Sequence, residues 1–103
     1  MITAISKFRL RPGLTRAQAI AEIHETVPVY KGRPGLVRKY IALDFEAGYG
    51  MGIYLWNERA AAEQFFQFAR AKIREQTGSD PEITLLDTPV IVDNLTGEVR
   101  TEA

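Results

Sequence analysis

A strand that ends in two large aromatic residues and is followed at once by a helix-forming run constrains this chain more than any other feature. The segment Ile53–Trp56 is β-branched and aromatic enough to be a strand, and Asn57 after it is a typical helix cap. A stretch of mixed apolar and polar residues over 34–40 precedes it, so the two stretches predict a β-hairpin that leads into a helix. Because side chains alternate along a strand, Tyr54 and Trp56 share one face of the sheet, where they can line a pocket.

The N-terminal third predicts a strand and then a helix. Residues 2–10 have the composition of a strand, and Thr15 followed by Gln18 is a capping-box pattern that begins a helix. Pro28 predicts that regular helix ends near it. The apolar stripe at helical spacing consists of Ile20, Ile23, His24 and Val27. This stripe predicts that His24 points inward.

A second helix and a last strand complete the predicted order. The helix runs from about Asn57 to near Gly78, a typical C-terminal cap, and the strand covers 82–93, where Pro89 indicates an edge position or a bulge. The apolar stripe of this helix contains Ala62, Phe65, Phe66, Ala69 and Ile73. Strand, helix, strand, strand, helix, strand is the ferredoxin-like βαββαβ arrangement of an α+β fold with an antiparallel sheet. We expect one domain over residues 1–97 and a C-terminal tail over residues 98–103.

The second predicted strand has apolar residues on both of its sides. Val37, Ile41 and Leu43 alternate to one side, and Leu36, Tyr40 and Ala42 to the other. Two helices cover only one face of such a sheet, so the other face needs a partner. A homodimer is the predicted assembly.

The composition excludes several classes of function. The 103 residues carry 13 basic and 13 acidic side chains, so the formal net charge is zero and nucleic acid is not an expected partner. The chain has no cysteine and one histidine, and its glycine-rich segment 48–52 joins two strands instead of opening a helix. We therefore expect no metal, flavin or haem, and we interpret 48–52 as a hairpin turn. Charges near the N-terminus and the lack of a long apolar window predict a cytoplasmic protein with no membrane partner.

Three segments resemble the YdhR-like monooxygenase family of the dimeric α+β barrel superfamily. They are Pro34–Leu36 with Lys39 and Tyr40, Gly52–Trp56, and Asp87–Asn94. The likeness covers roughly residues 1–97 and implies a ferredoxin-like protomer whose sheet packs against the sheet of a second protomer. By analogy with antibiotic-biosynthesis monooxygenases, it also implies oxidation of polycyclic aromatic substrates without metal or flavin.

Several positions depart from the pattern of the related enzymes. Antibiotic-biosynthesis monooxygenases commonly carry a Glu two residues before the strand-three Trp and a His on the following helix, where this chain has Tyr54 and Phe65. Of that set, only Trp56 is retained. Haem-degrading members need a first-strand Asn and a haem-ligating His on the second helix, whereas this chain has Ser6 and no histidine after His24. Haem degradation is therefore not expected.

Each candidate site residue has a functional and a structural interpretation. His24 is the first catalytic candidate, because imidazole exchanges protons near neutral pH, or else it is a structural histidine bonded to backbone. Tyr54 and Trp56 either hold a flat aromatic ligand, with the Tyr54 hydroxyl as a catalytic hydrogen-bond partner, or fill the core. Lys39 either extends its ammonium to solvent or serves an anionic group of the substrate.

These residues predict a cofactor-independent monooxygenase that binds a small aromatic or polycyclic phenol or enol between the two helices and the sheet. His24 deprotonates the substrate, whose carbanion then reduces dioxygen directly. The predicted ligand-binding residues are Ile20, Lys39, Trp56 and Phe65. His24 and Trp56 are expected to face one shared cavity if the third strand turns Trp56 toward the helices. A one-residue bulge among the glycines before Ile53 would instead send Tyr54 and Trp56 into the dimer barrel. Two alternatives stay open, an isomerase or decarboxylase of small enols and a ligand-binding module without catalysis.

Overall fold

The computed structural model describes residues 1–102, apart from the side chain of Thr77, as one antiparallel sheet with two helices and a C-terminal hairpin. The elements in chain order are β1 (Ile2–Arg9), α1 (Arg16–Tyr30), β2 (Leu36–Asp44), β3 (Tyr49–Trp56), α2 (Arg59–Thr77), β4 (Glu82–Asp87), β5 (Val90–Asp93) and β6 (Glu98–Thr101). The four-stranded sheet has the order β2-β3-β1-β4, and β5 pairs with β6. This arrangement is the predicted ferredoxin-like βαββαβ fold. Within residues 1–102, no helix is long and apolar enough to cross a membrane.

The predicted capping box begins α1, but the buried face of this helix differs from the prediction. Thr15 Oγ1 accepts from the Gln18 backbone at 3.1 Å, and the Gln18 side chain accepts from the Thr15 backbone at 3.0 Å. The stripe that turns toward the sheet is Ala19, Ile23, Thr26 and Tyr30, each buried or half-buried. Ile20, His24 and Val27 form the neighbouring stripe, and all three are exposed. The inward orientation predicted for His24 is therefore wrong.

Pro28 lies inside α1, although it was predicted to mark the end of the helix. A proline removes one backbone donor from the helix but leaves the later donors intact. The Lys31 N–H accordingly bonds the Val27 carbonyl at 2.9 Å. This extra turn is what carries Tyr30 to the sheet.

The second helix matches its predicted stripe more closely. It begins at Arg59 with Glu58 as the N-cap, so the cap predicted at Asn57 is wrong; the Asn57 backbone N–H instead bonds the Gly35 carbonyl at 2.8 Å. All five residues of the predicted stripe, Ala62, Phe65, Phe66, Ala69 and Ile73, are buried. The C-terminal cap is Gly78, as predicted, with a left-handed φ of 75°.

Two irregularities of the central hairpin set which side chains face the helices. A bulge between Leu36 and Arg38 shifts the register of β2, so that Leu36 pairs with Trp56 while Val37 is left 49% exposed. The predicted alternation of these two residues is thus wrong. The glycine-rich segment is also not a turn throughout, because the turn covers 45–48 and the segment from residue 49 onward lies in β3.

The last predicted strand, 82–93, is divided in two at Thr88-Pro89, where β4 ends and β5 begins. Residues 98–101, predicted as part of a tail, form β6 and pair with β5. The hairpin is held to the sheet by the Thr88 N–H, which bonds the Met1 carbonyl at 2.9 Å. It also approaches β2, where the Arg38 guanidinium lies 3.5 Å from a carboxylate oxygen of Asp93.

Candidate functional site

The aromatic core cluster, which consists of Tyr54, Trp56, Phe65 and Phe66, lies between the sheet and α2. The Tyr54 and Trp56 rings are nearly parallel, with centroids 6.2 Å apart. Phe65 packs against both of them, at 5.9 and 5.3 Å between centroids. Tyr54 and Trp56 therefore share one face of the sheet, as β-alternation predicted, and that face is the one covered by the helices, which the sequence left open.

A cavity of about 520 Å³ lies between α1, α2 and the sheet, in the cleft where the sequence predicted a ligand. Its lining is mostly apolar and comes from both helices and from the three strands β1, β2 and β3. Polar groups that reach it from these strands are Ser6, Arg9, Lys39 and Tyr54. An apolar cavity with a few converging polar groups is the usual form of a small-molecule site.

Gly52 gives the Tyr54 ring its place at the cavity wall. A Cβ atom at Gly52 would lie 2.8 Å from the Tyr54 ring, closer than real side chains approach. Gly52 and Tyr54 share the helix-facing side of β3, so the missing side chain leaves the space that the Tyr54 ring occupies. The sequence signal for this site is a glycine two residues before an aromatic residue in a strand. The prediction of a hairpin turn over 48–52 included Gly52 and therefore missed this signal.

Lys39 is the most unusual group in the cavity. Its Nζ lies 3.2 Å from the centroid of the Tyr30 ring and 4.7 Å from that of Tyr54. Among residues 1–102, no carboxylate forms an ion pair with it. Burial lowers the pKa of Lys39 to about 7, while the two ring faces favour its charged form. The amine is thus present in both protonation states near neutral pH.

The two tyrosines beside Lys39 stay protonated over the working pH range. Burial raises the pKa of Tyr54, and the neighbouring Tyr30 raises it further. Burial also raises the pKa of Tyr30, although the hydrogen bond with Tyr54 opposes that shift. Both phenols are therefore neutral, and because they are hydrogen-bonded to each other, one of the two hydroxyls keeps its proton available for a ligand.

Ser6 supplies a further polar group at the cavity wall. It is 1% exposed, and its Oγ has no hydrogen-bond partner among the described residues. A buried hydroxyl without a partner costs about 1–3 kcal/mol, which a ligand that bonds it would recover. Ser6 stands where haem-degrading relatives were expected to need an Asn, and nothing else in its sequence context pointed to the site.

The mouth of the cavity is lined by charged side chains of α1, α2 and the loop after β1. Arg11 donates to Glu22 at 2.9 Å, and both side chains are about half exposed. The hydrogen bond raises the pKa of Arg11 and lowers that of Glu22. Such an exposed pair contributes little to stability, so it affects the charge at the entrance more than the fold.

The predicted site residues fall into three groups. Lys39, Tyr54 and Phe65 line the cavity. Trp56, 1% exposed, supports it from the aromatic core cluster without lining it. His24 and Ile20 lie on the outer stripe of α1 and do not line it. The prediction that His24 and Trp56 share a cavity is therefore wrong, because α1 is rotated by about one residue relative to the predicted stripe. Sequence reasoning also missed Tyr30, Ser6 and Gly52 as site residues.

Within residues 1–102, no group of three or more His, Asp or Glu side chains is placed to hold a metal ion. Beside the aromatic wall, the polar groups of the cavity are the Lys39 amine and the hydroxyls of Ser6, Tyr30 and Tyr54, and charged side chains lie at its mouth. What the arrangement can do is transfer a proton, stabilise an anion and hold an aromatic ring away from water.

Stability should rise with pH because of Lys39. Its folded pKa is about 7 against an ordinary 10.5, so between these values the unfolded chain binds a proton that the folded chain does not. Below about pH 7 the folded protein carries the full free-energy cost of burying the Lys39 charge, and this cost falls to zero as pH rises from about 7 to 10.5. We expect wild type to gain on the order of 2 kcal/mol between about pH 7 and about pH 9, measured by urea unfolding. Lys39→Met should lack this gain, and an equal gain in the variant would contradict the assignment.

Solved structures of other proteins share this fold. Rv0793 from Mycobacterium tuberculosis is 16% identical, with a TM-score of 0.63 over 84% of this chain and 93% of that one. An antibiotic biosynthesis monooxygenase is 22% identical, with a TM-score of 0.62 over 85% of this chain and 98% of that one. A variant of SnoaB, a cofactor-independent oxygenase from Streptomyces nogalater, is 16% identical, with a TM-score of 0.62 over 84% of this chain and 91% of that one.

No family model matches the chain, and no curated protein sequence matches it either. At identities this low, the likeness shows the ferredoxin-like fold of antibiotic biosynthesis monooxygenases and does not extend to their chemistry.

Proposed function

We propose that this protein is a cofactor-independent monooxygenase that acts on a small aromatic or polycyclic phenol or enol bound in the cavity. The observation that carries the proposal is the Lys39 amine, which lies without a carboxylate partner among the described residues at the aromatic wall of an apolar cavity. His24 lies outside that cavity, so the role of base passes to Lys39. The fold likeness to a cofactor-independent oxygenase adds support by analogy.

Deprotonation is the first step of the proposed reaction. The neutral Lys39 amine takes the proton of the phenol or enol, and the ammonium it becomes holds the resulting anion by charge. One hydroxyl of the hydrogen-bonded pair Tyr30 and Tyr54 donates to the same oxygen. Phe65 and the apolar lining keep water from the anion, which strengthens each of these interactions.

Oxygen is then reduced by the substrate itself. The electron-rich carbon of the anion gives electrons to dioxygen and forms a carbon–oxygen bond, so the product of this step is a hydroperoxide. Loss of water from the hydroperoxide leaves a ketone at that carbon. The peroxide anion takes back the proton held by the Lys39 ammonium, one oxygen atom ends in the product and the other in water, and all four electrons that reduce dioxygen come from the substrate carbon.

Anthrone is a suitable probe, because its enol form is a tricyclic phenol and its oxygenation to anthraquinone follows this balance. We expect wild type to consume one dioxygen per anthrone well above the rate in buffer, and to place one labelled atom from ¹⁸O₂ in the ketone. An exposed-lysine variant, Lys31→Met, is the matched control and should match wild type. Binding of anthrone without oxygen uptake would overturn the oxygenase and favour a ligand-binding module.

The same amine also supports an isomerase that moves a proton between two carbons of an enol. This alternative uses Lys39 as a proton shuttle and needs no oxygen. Exchange of the substrate C–H for deuterium under nitrogen, with no uptake of oxygen in air, would favour it over the monooxygenase.

A homodimer is the second part of the proposal. The face of the sheet opposite the helices carries Ile5, Ile53 and Leu55, with Tyr40 54% exposed. A small domain rarely leaves such a face in water. We expect sedimentation to give a dimer at micromolar concentration, and Ile53→Glu to give a monomer or an aggregate while Ile20→Glu leaves the dimer intact. A folded wild-type monomer would contradict this.

The finer assignments from the sequence stay proposals. They are membership of the YdhR-like family, a cytoplasmic location and the polycyclic nature of the substrate. The oxygen-uptake experiment with ligands of one, two and three rings addresses the last of these.

A further inference from the structure

The chain has four lysines, and they differ in surroundings. Lys7 and Lys31 are exposed, and Lys72 reaches the cavity from an exposed position on α2. Lys39 is half-buried in β2, with its Nζ against the rings of Tyr30 and Tyr54. An amine in an apolar site beside open cavity volume is the arrangement in which lysine acts as a nucleophile.

We propose that Lys39 is a covalent site, where its amine forms a reversible imine with an aromatic aldehyde or ketone in the cavity. The reaction does not depend on oxygenation, so it can stand whether or not the proposed monooxygenase activity is found.

The geometry places the carbonyl partner on the open side of the amine. The Tyr30 ring, 3.2 Å from Nζ at its centroid, occupies one side of Lys39, and the cavity of about 520 Å³ lies beside it. The apolar walls hold the aromatic part of the ligand and exclude bulk water. Because imine formation releases water, a dry cavity favours the imine over its hydrolysis.

The covalent step balances without an oxidant or reductant. The lone pair of Nζ forms a bond to the carbonyl carbon, and the carbonyl oxygen takes a proton to give a carbinolamine. Loss of that hydroxyl as water, with the second amine proton, leaves the carbon–nitrogen double bond. The phenols of Tyr30 and Tyr54, which burial keeps protonated, are the nearby donors for the oxygen.

The other charged groups that line the cavity do not neutralise Lys39. They are Arg9, Arg11, Glu22, Glu25 and Lys72. Glu22 is held by Arg11 at 2.9 Å, and Glu25 forms no ion pair with Lys39 in the described part of the chain. Burial lowers the pKa of Lys39 to about 7, so a large share of this amine is free at neutral pH.

The test is reductive trapping on the wild-type protein with 2-naphthaldehyde and cyanoborohydride at neutral pH, followed by mass-spectrometric mapping of all four lysines. We expect Lys39 to be labelled at least about tenfold faster than Lys7, Lys31 or Lys72. Excess 2-naphthol, which has the same ring system but no carbonyl, should compete and slow the labelling of Lys39 alone. Equal labelling of the four lysines, or labelling that 2-naphthol does not affect, would overturn the proposal.

Two variants complete the design. Lys39→Arg retains the positive charge over the Tyr30 ring but cannot form an imine, so the cavity label should disappear while the labelling of the other lysines is unchanged. Lys31→Arg should leave labelling of Lys39 as in wild type. Because the mapping is done on the unmodified chain, a variant that fails to fold does not decide the outcome. Selective trapping of Lys39 without oxygen uptake supports the imine and rejects the oxygenase. Oxygen uptake without selective trapping supports the oxygenase and rejects the imine.

Discussion

Replacing Lys39 with methionine should lower kcat/KM for anthrone oxygenation by about 10²–10⁴-fold, the usual contribution of a positioned general base. Methionine has nearly the length and apolar character of the lysine stem, so the wall of the cavity is kept and KM should change little. What is lost is the amine that lies over the Tyr30 ring. Initial rates of oxygen uptake, at several anthrone concentrations, separate the two constants.

The pH profile distinguishes a base from a structural lysine. The amine must be neutral to take a proton, and burial holds its pKa at about 7, so kcat/KM should rise as pH rises through that value and then level off. Lys39→Arg keeps the charge but stays protonated, so it should be as slow as Lys39→Met. A variant that retains wild-type kcat/KM would remove Lys39 from the mechanism.

The fold was predictable because its signals are local and strong. Thr15 with Gln18 begins α1, Gly78 ends α2, and the stripe of Phe65, Phe66 and Ile73 fits one helical face. Alternation correctly placed Tyr54 and Trp56 on one face of the sheet, but it did not decide whether that face lies under the helices, where the structure puts it. Each of these patterns depends on residues only a few positions apart, where periodicity is reliable.

The position of α1 could not be predicted in the same way. The helix α1 carries apolar residues on several of its own faces, so a stripe of Ile20 and Val27 is as plausible from the sequence as one of Ala19 and Ile23. In the structure the stripe with Ala19 and Ile23 faces the sheet. In this orientation Tyr30 packs against Tyr54 and Phe65, with ring centroids 6.0 and 5.5 Å apart. That contact joins α1 to β3 and α2, and no local pattern contains it.

The site was only half predictable for a related reason. Lys39 was identified as facing the apolar side of its strand, but its environment depends on Tyr30, which Pro28 was expected to exclude from the helix. The position of the Tyr54 ring at the cavity wall depends on Gly52, whose role is visible only when that ring is packed against it. Long-range contacts of this kind are formed by tertiary packing and leave no periodic trace in the sequence.

Replacing Trp56 with alanine should destabilise the protein by about 3–5 kcal/mol, the usual cost of removing a large buried aromatic side chain. The ring is 1% exposed and packs against Tyr54 and Phe65. A domain of this size is stable by only about 5–15 kcal/mol, so the variant should unfold at much lower urea concentration. Because the apparent stability of a dimer depends on protein concentration, all variants are compared at one protein concentration.

The controls separate packing from polarity. The Trp56 Nε1 has no hydrogen-bond partner among the described residues, so Trp56→Phe removes an unpaired donor together with part of the ring. It should therefore cost less than about 1.5 kcal/mol. Ile20→Ala, on the exposed stripe of α1, should change stability by about 0.5 kcal/mol or less. A different result would contradict this placement: an unchanged unfolding midpoint together with dissociation of the dimer. Trp56 would then lie on the face of the sheet opposite the helices, and it could not support Tyr54 and Phe65 at the cavity.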